Sequence, residues 1–476
     1  MRAAAAGGVV TTAPPEIGVD AADRPDDHWT GGPAFGLLDA ADRARVPAGA
    51  VDAFPMTAQQ VAMAAQLVLG SARRRKGAAG VPPYHNVAMS RMSVPKVDTA
   101  VFAACAEALA ERHEMFRSVL DLDTFSRPMQ VVLARAPEPV LTVHDLRDRD
   151  AAAQETELAR FASAENAKTL SLTAAPLTRF TLHVLSERDI AFTITEPHAI
   201  ADGWSTHLNL VEFFDTYVAA LGAGRVVAAA APSARLRHHS AQQAAILEST
   251  VDNQWWRDRL RPWTAAEPVE PASTGPSWHT TLVITGAEYA ALEALGRTSG
   301  TGLKTVLLTV HLTALRDLPG AAGTLSGVTV NTRLAVEDGV DARGMFLNVV
   351  PLPWTGDVPE PAAVHAVLLA ATARGRVPLA HLVRTLGPAA APRSFFVFNS
   401  FHSIAGAARR LGVDTFEEVA DWSRTDFPFE ASFNRSEESA GRIDLQLYSD
   451  GRFAVEDDAV RAYRAAVRAV AGLGDD

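Results

Sequence analysis

One histidine and one carboxylate stand four residues apart in residues 189–205, DIAFTITEPHAIADGWS. His198 can take or give a proton at neutral pH, and Asp202 can orient a ring or hold a cation. Spacing alone is weak: with 14 His and 55 acidic residues in 476, chance places about 1.6 acids four residues after a His. A loop histidine beside a solvated aspartate is the competing reading, so the setting must decide. Ile190, Phe192 and Ile194 alternate with Ala191, Thr193 and Thr195, the period of a half-buried strand, and Pro197 ends it. From Ser205 a helical pattern places Leu210, Phe214, Tyr217 and Leu221 on one face and closes near Gly222 and Gly224. The pair thus sits on a loop between strand and helix, where reactive side chains concentrate. Gly203 and this strand–loop–helix setting raise the functional reading modestly.

Other candidate groups read as structural. Cys105, in the periodic run VFAACAEALAERHE, reads as a small core residue, and one cysteine excludes internal disulfides and cysteine metal clusters. That usage agrees with a reducing cytoplasm. His113 and Glu114 lack metal-ligand spacing, and the adjacent His238 and His239 point to different faces, so no metal site is expected. Trp255 and Trp256 read as packing anchors. The basic run SARRRKGAAG at 71–80 reads as a solvated loop; the alternative is a contact for the phosphates of a pantetheine-bearing partner.

The elements that position the pair follow from length and pattern. A chain of 476 residues exceeds one comfortable core, and 48% hydrophobic with 21% charged residues fits a globular protein. A net charge of −11 argues against a nucleic-acid partner, and no apolar run reaches the ~20 residues of a membrane span. No secretory leader is evident in MRAAAAGGVVTTAPPEIG. Residues 1–50 read as a flexible extension with a short helix near 37–45. Order begins at FPMTAQQVAMAAQLVL, with Thr57 as N-cap. Strands and helices then alternate to Gly224, where consecutive strands are expected to pair in one sheet with helices on a face. The Ala/Pro-rich RVVAAAAPSARLR reads as the boundary. One long helix over HHSAQQAAILESTVDNQWWRDRL opens a second half with similar strand–helix order, in which FPFEASFNRS and GRIDLQLYSDGRFA pair as strands.

Seven stretches in this order resemble the condensation domains of nonribosomal peptide synthesis, within the chloramphenicol-acetyltransferase-like superfamily. FPMTAQQVAM is similar to the opening Ser/Thr-x-x-Gln motif, RHEMFRSV to the second motif, and EPHAIADGWS to the active-site motif His-His-x-x-x-Asp-Gly. DNQWWRDRL, RGMFLNVVPLP, RVPLAHLV and SFFVFNSF fall where later motifs are expected. The likeness runs from about Phe54 to the last helix, roughly nine-tenths of the chain. One departure stands out: Pro197 occupies the place of the first histidine.

The resemblance implies two α/β sandwich halves, 51–225 and 226–476, arranged as a V-shaped pseudo-dimer with a tunnel at the junction. It implies that His198 is catalytic, as base or as positioner of the nucleophile, that the Gly203 N–H at the start of the helix is a candidate donor to the oxyanion, and that Asp202 pairs with Arg333 of the second half rather than with His198. Trp204, Ser205 and Asn399 are weaker tunnel candidates, equally well read as packing or capping residues. No cofactor is expected to be bound. The acyl donor arrives on the phosphopantetheine of a separate carrier protein, or on coenzyme A, and the acceptor is a small amine or alcohol. The expectation is a free-standing cytoplasmic enzyme forming an amide or ester in secondary metabolism. An acyl-CoA-dependent N- or O-acyltransferase and a degenerate docking domain are the alternatives.

Overall fold

In a computed structural model, residues 32–76, 82–227, 229–265, 275–319, 321, 325–333, 339–355, 358–399, 416–422, 424–435 and 441–474 are described. A short helix α1 (Ala40–Arg43), capped by Asp39, precedes strand β1 (Ala50–Pro55) and helix α2 (Ala58–Arg75). Thr57 caps α2 in a reciprocal box: its hydroxyl accepts from the Gln60 N–H, and the Gln60 side chain accepts from the Thr57 N–H at 3.0 Å. The helix runs through Arg75 to a C-cap at Lys76, so the start of the basic run is helical rather than a loop. Arginine and lysine are good helix formers and favour the negative C-terminal end of the helix dipole. The rest of that run, from residue 77, lies outside the described residues.

Next come β2 (His85–Ser93), α3 (Thr99–Arg112), β3 (Ser118–Asp121), β4 (Met129–Leu133), β5 (Leu141–Asp145), α4 (Ala151–Ala167), β6 (Arg179–Val184), β7 (Asp189–Pro197) and α5 (Gly203–Ala223). These strands form two sheets where the pattern suggested one. β1-β4-β3 is a separate three-stranded sheet, and the larger sheet has the order β12-β2-β7-β6-β5. The added strand β12 (Phe416–Trp422) comes from late in the chain and pairs antiparallel with β2. Sheet membership depends on partners distant in sequence, which local alternation does not encode.

Strand β7 is buried at every residue except Asp189, including Thr193 and Thr195, so it is not half-buried. It lies between β2 and β6 and is covered on both faces. Phe192 and Phe180 meet Phe213 of α5 at 5.3 and 5.4 Å, and Ala191 joins Met89 and the α4 residues Leu158 and Ala162. Helix α5 ends at Gly224, whose φ of 69° is the left-handed C-cap conformation that favours glycine.

The expected long helix is two, α6 (Leu236–Leu247) and α7 (Thr250–Thr264), because Ser249 caps the second by accepting from the Asp252 N–H. The remaining elements are β8 (Trp278–Thr285), α8 (Gly286–Thr298), α9 (Gly302–Asp317), β9 (Ser326–Asn331), β10 (Leu347–Leu352), α10 (Pro361–Thr372), α11 (Leu379–Leu386), β11 (Ser394–Asn399), β12, β13 (Phe429–Asn434), β14 (Arg442–Ser449) and α12 (Glu456–Ala471). Six strands form one mixed sheet, β10-β9-β11-β13-β14-β8, with β13 and β14 antiparallel neighbours. Helix α9 is buried almost throughout and shares a core with Phe396, Phe433 and Tyr463.

Candidate active site

The strand β7 delivers His198 one residue past its end. The His198 N–H donates to the Tyr84 carbonyl at 2.8 Å, and its ring Nδ1 lies 2.9 Å from the Ala201 carbonyl. A carbonyl oxygen only accepts, so Nδ1 carries the proton and Nε2 of the neutral ring holds the lone pair. The ring is partly exposed, in a loop whose next four residues are buried. That arrangement leaves Nε2 as the proton acceptor of the neutral ring.

Tyr84 supports this histidine from just before the neighbouring strand β2. Its ring meets the His198 ring edge-on at a centroid distance of 6.2 Å. Its φ of 65° is the left-handed region, a strained position for an aromatic residue. Three bonds hold it there: its N–H donates to the Arg424 carbonyl at 2.8 Å, its carbonyl accepts from His198, and its hydroxyl donates to Asp426. Burial, with Asp426 alongside, pushes the phenol well above its ordinary value, so it remains a donor.

Asp202 turns away from His198. Its two oxygens accept from Nη1 and Nη2 of Arg333, each at 2.8 Å, and both side chains are almost wholly buried. Asp202 also caps α5 through the Ser205 N–H at 2.8 Å and accepts from the Phe346 N–H at 3.1 Å. Burial alone raises a carboxyl, but the Arg333 guanidinium and the Ser205 N–H outweigh it, and Asp202 is held below the usual carboxylate range. Arg333 donates further to the Ser205 hydroxyl at 2.7 Å and lies 4.6 Å over the Phe346 ring. The Asp202 N–H donates to the Gly344 carbonyl at 3.0 Å. The loop is therefore clamped to Arg333, Gly344 and Phe346 by a charge-assisted network.

The remaining candidates fall in different places. Gly203 is the exposed first residue of α5, and the first N–H groups of a helix have no intrahelical acceptor. Ser205 is fully buried, its hydroxyl exchanging bonds with Gly344 N–H and carbonyl at 3.0 and 2.8 Å. Trp204 donates to the Val340 carbonyl at 3.3 Å. Asn399 bonds within the second sheet, to Asn434 at 2.8 Å. Among the described residues no group of three or more His, Cys, Asp or Glu side chains is placed to hold a metal ion. Cys105 is buried, which pushes its thiol up to about 11.

A family model described as Condensation domain matches residues 83–456, spanning this loop and its clamp. The chain belongs to the condensation-domain family. This condensation domain is 28% identical over 456 residues to the AMB antimetabolite synthetase AmbE of Pseudomonas aeruginosa, an alignment that takes in 92% of the chain and 20% of AmbE. It is 28% identical over 314 residues, 62% of the chain, to the phosphinothricin tripeptide synthetase PhsB of Streptomyces viridochromogenes, 26% of which is aligned. The chain thus spans about a fifth of AmbE and a quarter of PhsB. Its fold matches the first condensation domain of the calcium-dependent antibiotic synthetase with TM-score 0.68 and 18% identity, over 89% of this chain and 96% of that one. The X-domain from teicoplanin biosynthesis aligns with TM-score 0.67 and 19% identity, over 88% and 94%. The architecture is chloramphenicol-acetyltransferase-like α/β.

Three groups in this condensation domain escaped the sequence reading. Gln60, the capping-box residue, also donates to the Ala199 carbonyl at 3.1 Å and to Gln130 at 2.9 Å, tying α2 to the loop. Glu196 is buried, and among the described residues no cationic side chain pairs with it; its oxygens accept from Thr206 at 2.6 Å and Thr178 at 3.0 Å. Burial pushes its carboxyl up to about 7, with Asp202 adding and the two threonines opposing. A lone carboxylate in an apolar strand is the signal that marks it. Tyr84 left no local signal, because its partner is 114 positions away in sequence.

Proposed function

We propose that the chain is a condensation enzyme that transfers an acyl or aminoacyl group from a phosphopantetheine thioester to an amine or hydroxyl. The observation that carries this reading is the partly exposed His198, whose Nδ1 is committed to the Ala201 carbonyl so that Nε2 is the acceptor of the neutral ring. Nε2 accepts the hydrogen bond of the incoming nucleophile and its proton as the new bond to the thioester carbon forms. The carbonyl oxygen becomes an oxyanion that the Gly203 N–H meets. As the intermediate collapses the carbon–sulfur bond breaks, and the proton passes to the departing thiolate. Atoms balance with an amide or ester and a free thiol as products. Asp202 and Arg333 hold the loop rather than move protons.

Residues 51–225 and 226–476 act as the two halves that bring donor and acceptor together, with Trp204 beside the junction and Asn399 farther along the second sheet. The relatives named above are synthetases of AMB and of phosphinothricin tripeptide, which supports a role in assembling a peptide-like secondary metabolite. The deciding assay presents one acyl group on a holo-carrier protein, on coenzyme A and on a short thiol, at fixed acceptor. Carrier-borne donor should be used most efficiently, because binding energy remote from the carbonyl orients the reacting groups. Equal efficiency from coenzyme A would favour an acyl-CoA transferase.

A second reading has one observation in its favour. Pro197 replaces a motif histidine, and a fold neighbour, the teicoplanin X-domain, is known in complex with OxyB. A docking module of the same fold would show no turnover with any donor.

A further inference from the structure

The last turn of α2 is strongly basic in a chain whose net charge is −11. Arg73, Arg75 and Lys76 are exposed there, and among the described residues their side chains enter no hydrogen bond or ion pair. Arg74 beside them donates to the Asn166 carbonyl at 2.9 Å, at the end of α4. Lys168 and Arg179 both pair with Glu165, so two cations share one carboxylate. The Arg74–Asn166 bond thus brings the basic end of α2 to the end of α4, where Glu165 holds its two cations.

This face lies next to the catalytic loop. Gly70 of α2 packs so closely on the segment before β2 that a Cβ there would come within 2.8 Å of the Pro83 ring. Pro83 leads directly to Tyr84, whose ring meets His198. His85 follows, pairs in register with Pro197, and is fully buried with neither ring nitrogen partnered. Burial lowers His85 to about 4, and the charges of Glu165, Arg179, Arg74 and Lys168 all reach it. The basic end of α2 therefore lies close to the start of β2, with Tyr84 just before it and His198 just after the paired end of β7.

We propose that this face is the docking surface for an acidic carrier protein, whose phosphopantetheine arm enters past Pro83 and Tyr84 to His198. The inference rests on the reading that the donor is carrier-borne. Charge complementarity selects the occupant: unpaired arginines and lysine on an otherwise acidic chain attract an acidic partner and leave the rest of the surface repulsive to it. A phosphate on the arm adds a charge-assisted contact of the same sign.

The test titrates the holo form of an acidic acyl carrier protein, fluorescently labelled, into the full chain and into R73E/R75E/K76E. The three positions are exposed, so the fold should survive, and circular dichroism checks it. The Kd should rise at least tenfold at low salt, and added salt should weaken the wild-type complex but hardly change the variant's. The preference for carrier-borne over short-thiol donor should fall by a similar factor. A wild-type chain that does not bind the carrier, or a variant with unchanged Kd and donor preference, would overturn the proposal. So would a variant that loses binding to phosphatidylserine vesicles while keeping the carrier. Absence of turnover with every donor would remove the enzymatic reading, whereas the titration reports docking independently.

Discussion

Asp202 and Arg333, 131 residues apart in sequence, meet through two hydrogen bonds of 2.8 Å with both side chains almost wholly buried. The pair joins the N-terminus of α5 to the segment just after β9, and Asp202 also accepts from the Phe346 N–H just before β10. Removing one partner strands a buried charge, which costs roughly 3–5 kcal/mol. Arg333→Ala and Asp202→Asn should each lower the melting temperature, and the double variant should lose clearly less than the sum. Because Asp202 is held below the usual carboxylate range, this stabilisation is present at neutral pH and disappears only on acidification through its lowered pKa. Additive losses would show that the two do not act as a unit.

His198 makes few side-chain contacts that the fold depends on, since it is partly exposed and its ring gives one hydrogen bond, to Ala201. His198→Ala should therefore reduce turnover by ~10²–10⁴ while stability changes by about 1 kcal/mol. Steady-state rates beside thermal melts separate the two effects. Full activity in the variant would remove the mechanism proposed here.

Pro197 closes β7 opposite His85 and is buried. Pro197→His should leave the rate close to wild type, because Nε2 of His198 is already free. It should cost about 1–3 kcal/mol in stability, since a second imidazole enters a buried place without an evident partner. A large gain in turnover would instead mark the natural chain as a weak catalyst, or chiefly a docking module.

Glu196 gives the fold a pH dependence near neutrality. Its carboxyl is raised from an ordinary 4.5 to about 7, so between those values the folded chain holds a proton that the unfolded chain has released. Its contribution to stability is complete below about 4.5, falls as pH rises, and is lost above about 7, by a few kcal/mol at ~1.4 kcal/mol per unit. Glu196→Gln keeps the threonine bonds without the charge. It should match wild type at pH 5 and melt higher at pH 8; parallel melting curves across that range would contradict the assignment.

What the sequence determined by itself is local. The Thr57 cap, the end of β7 at Pro197 and the left-handed stop at Gly224 follow from hydrogen bonds and dihedrals within a few residues. The pairing of β13 with β14 likewise follows from two apolar alternations close in the chain. The motif order further pointed to the family and to His198. Only the tertiary structure decided that β12 joins the first half's sheet, that β1-β4-β3 stands apart, and that β7 is buried on both faces. It alone brought Tyr84 under His198, Gln60 to Ala199, and Glu196 to a buried position where no described cationic side chain pairs with it. Even the bond between Asp202 and Arg333, which a family likeness could suggest, needed the folded chain to show that both charges are buried and doubly bonded. The physical reason is common to all of these. Burial, ionisation and long-range pairing depend on which distant surfaces meet, and no periodicity within one segment carries that information.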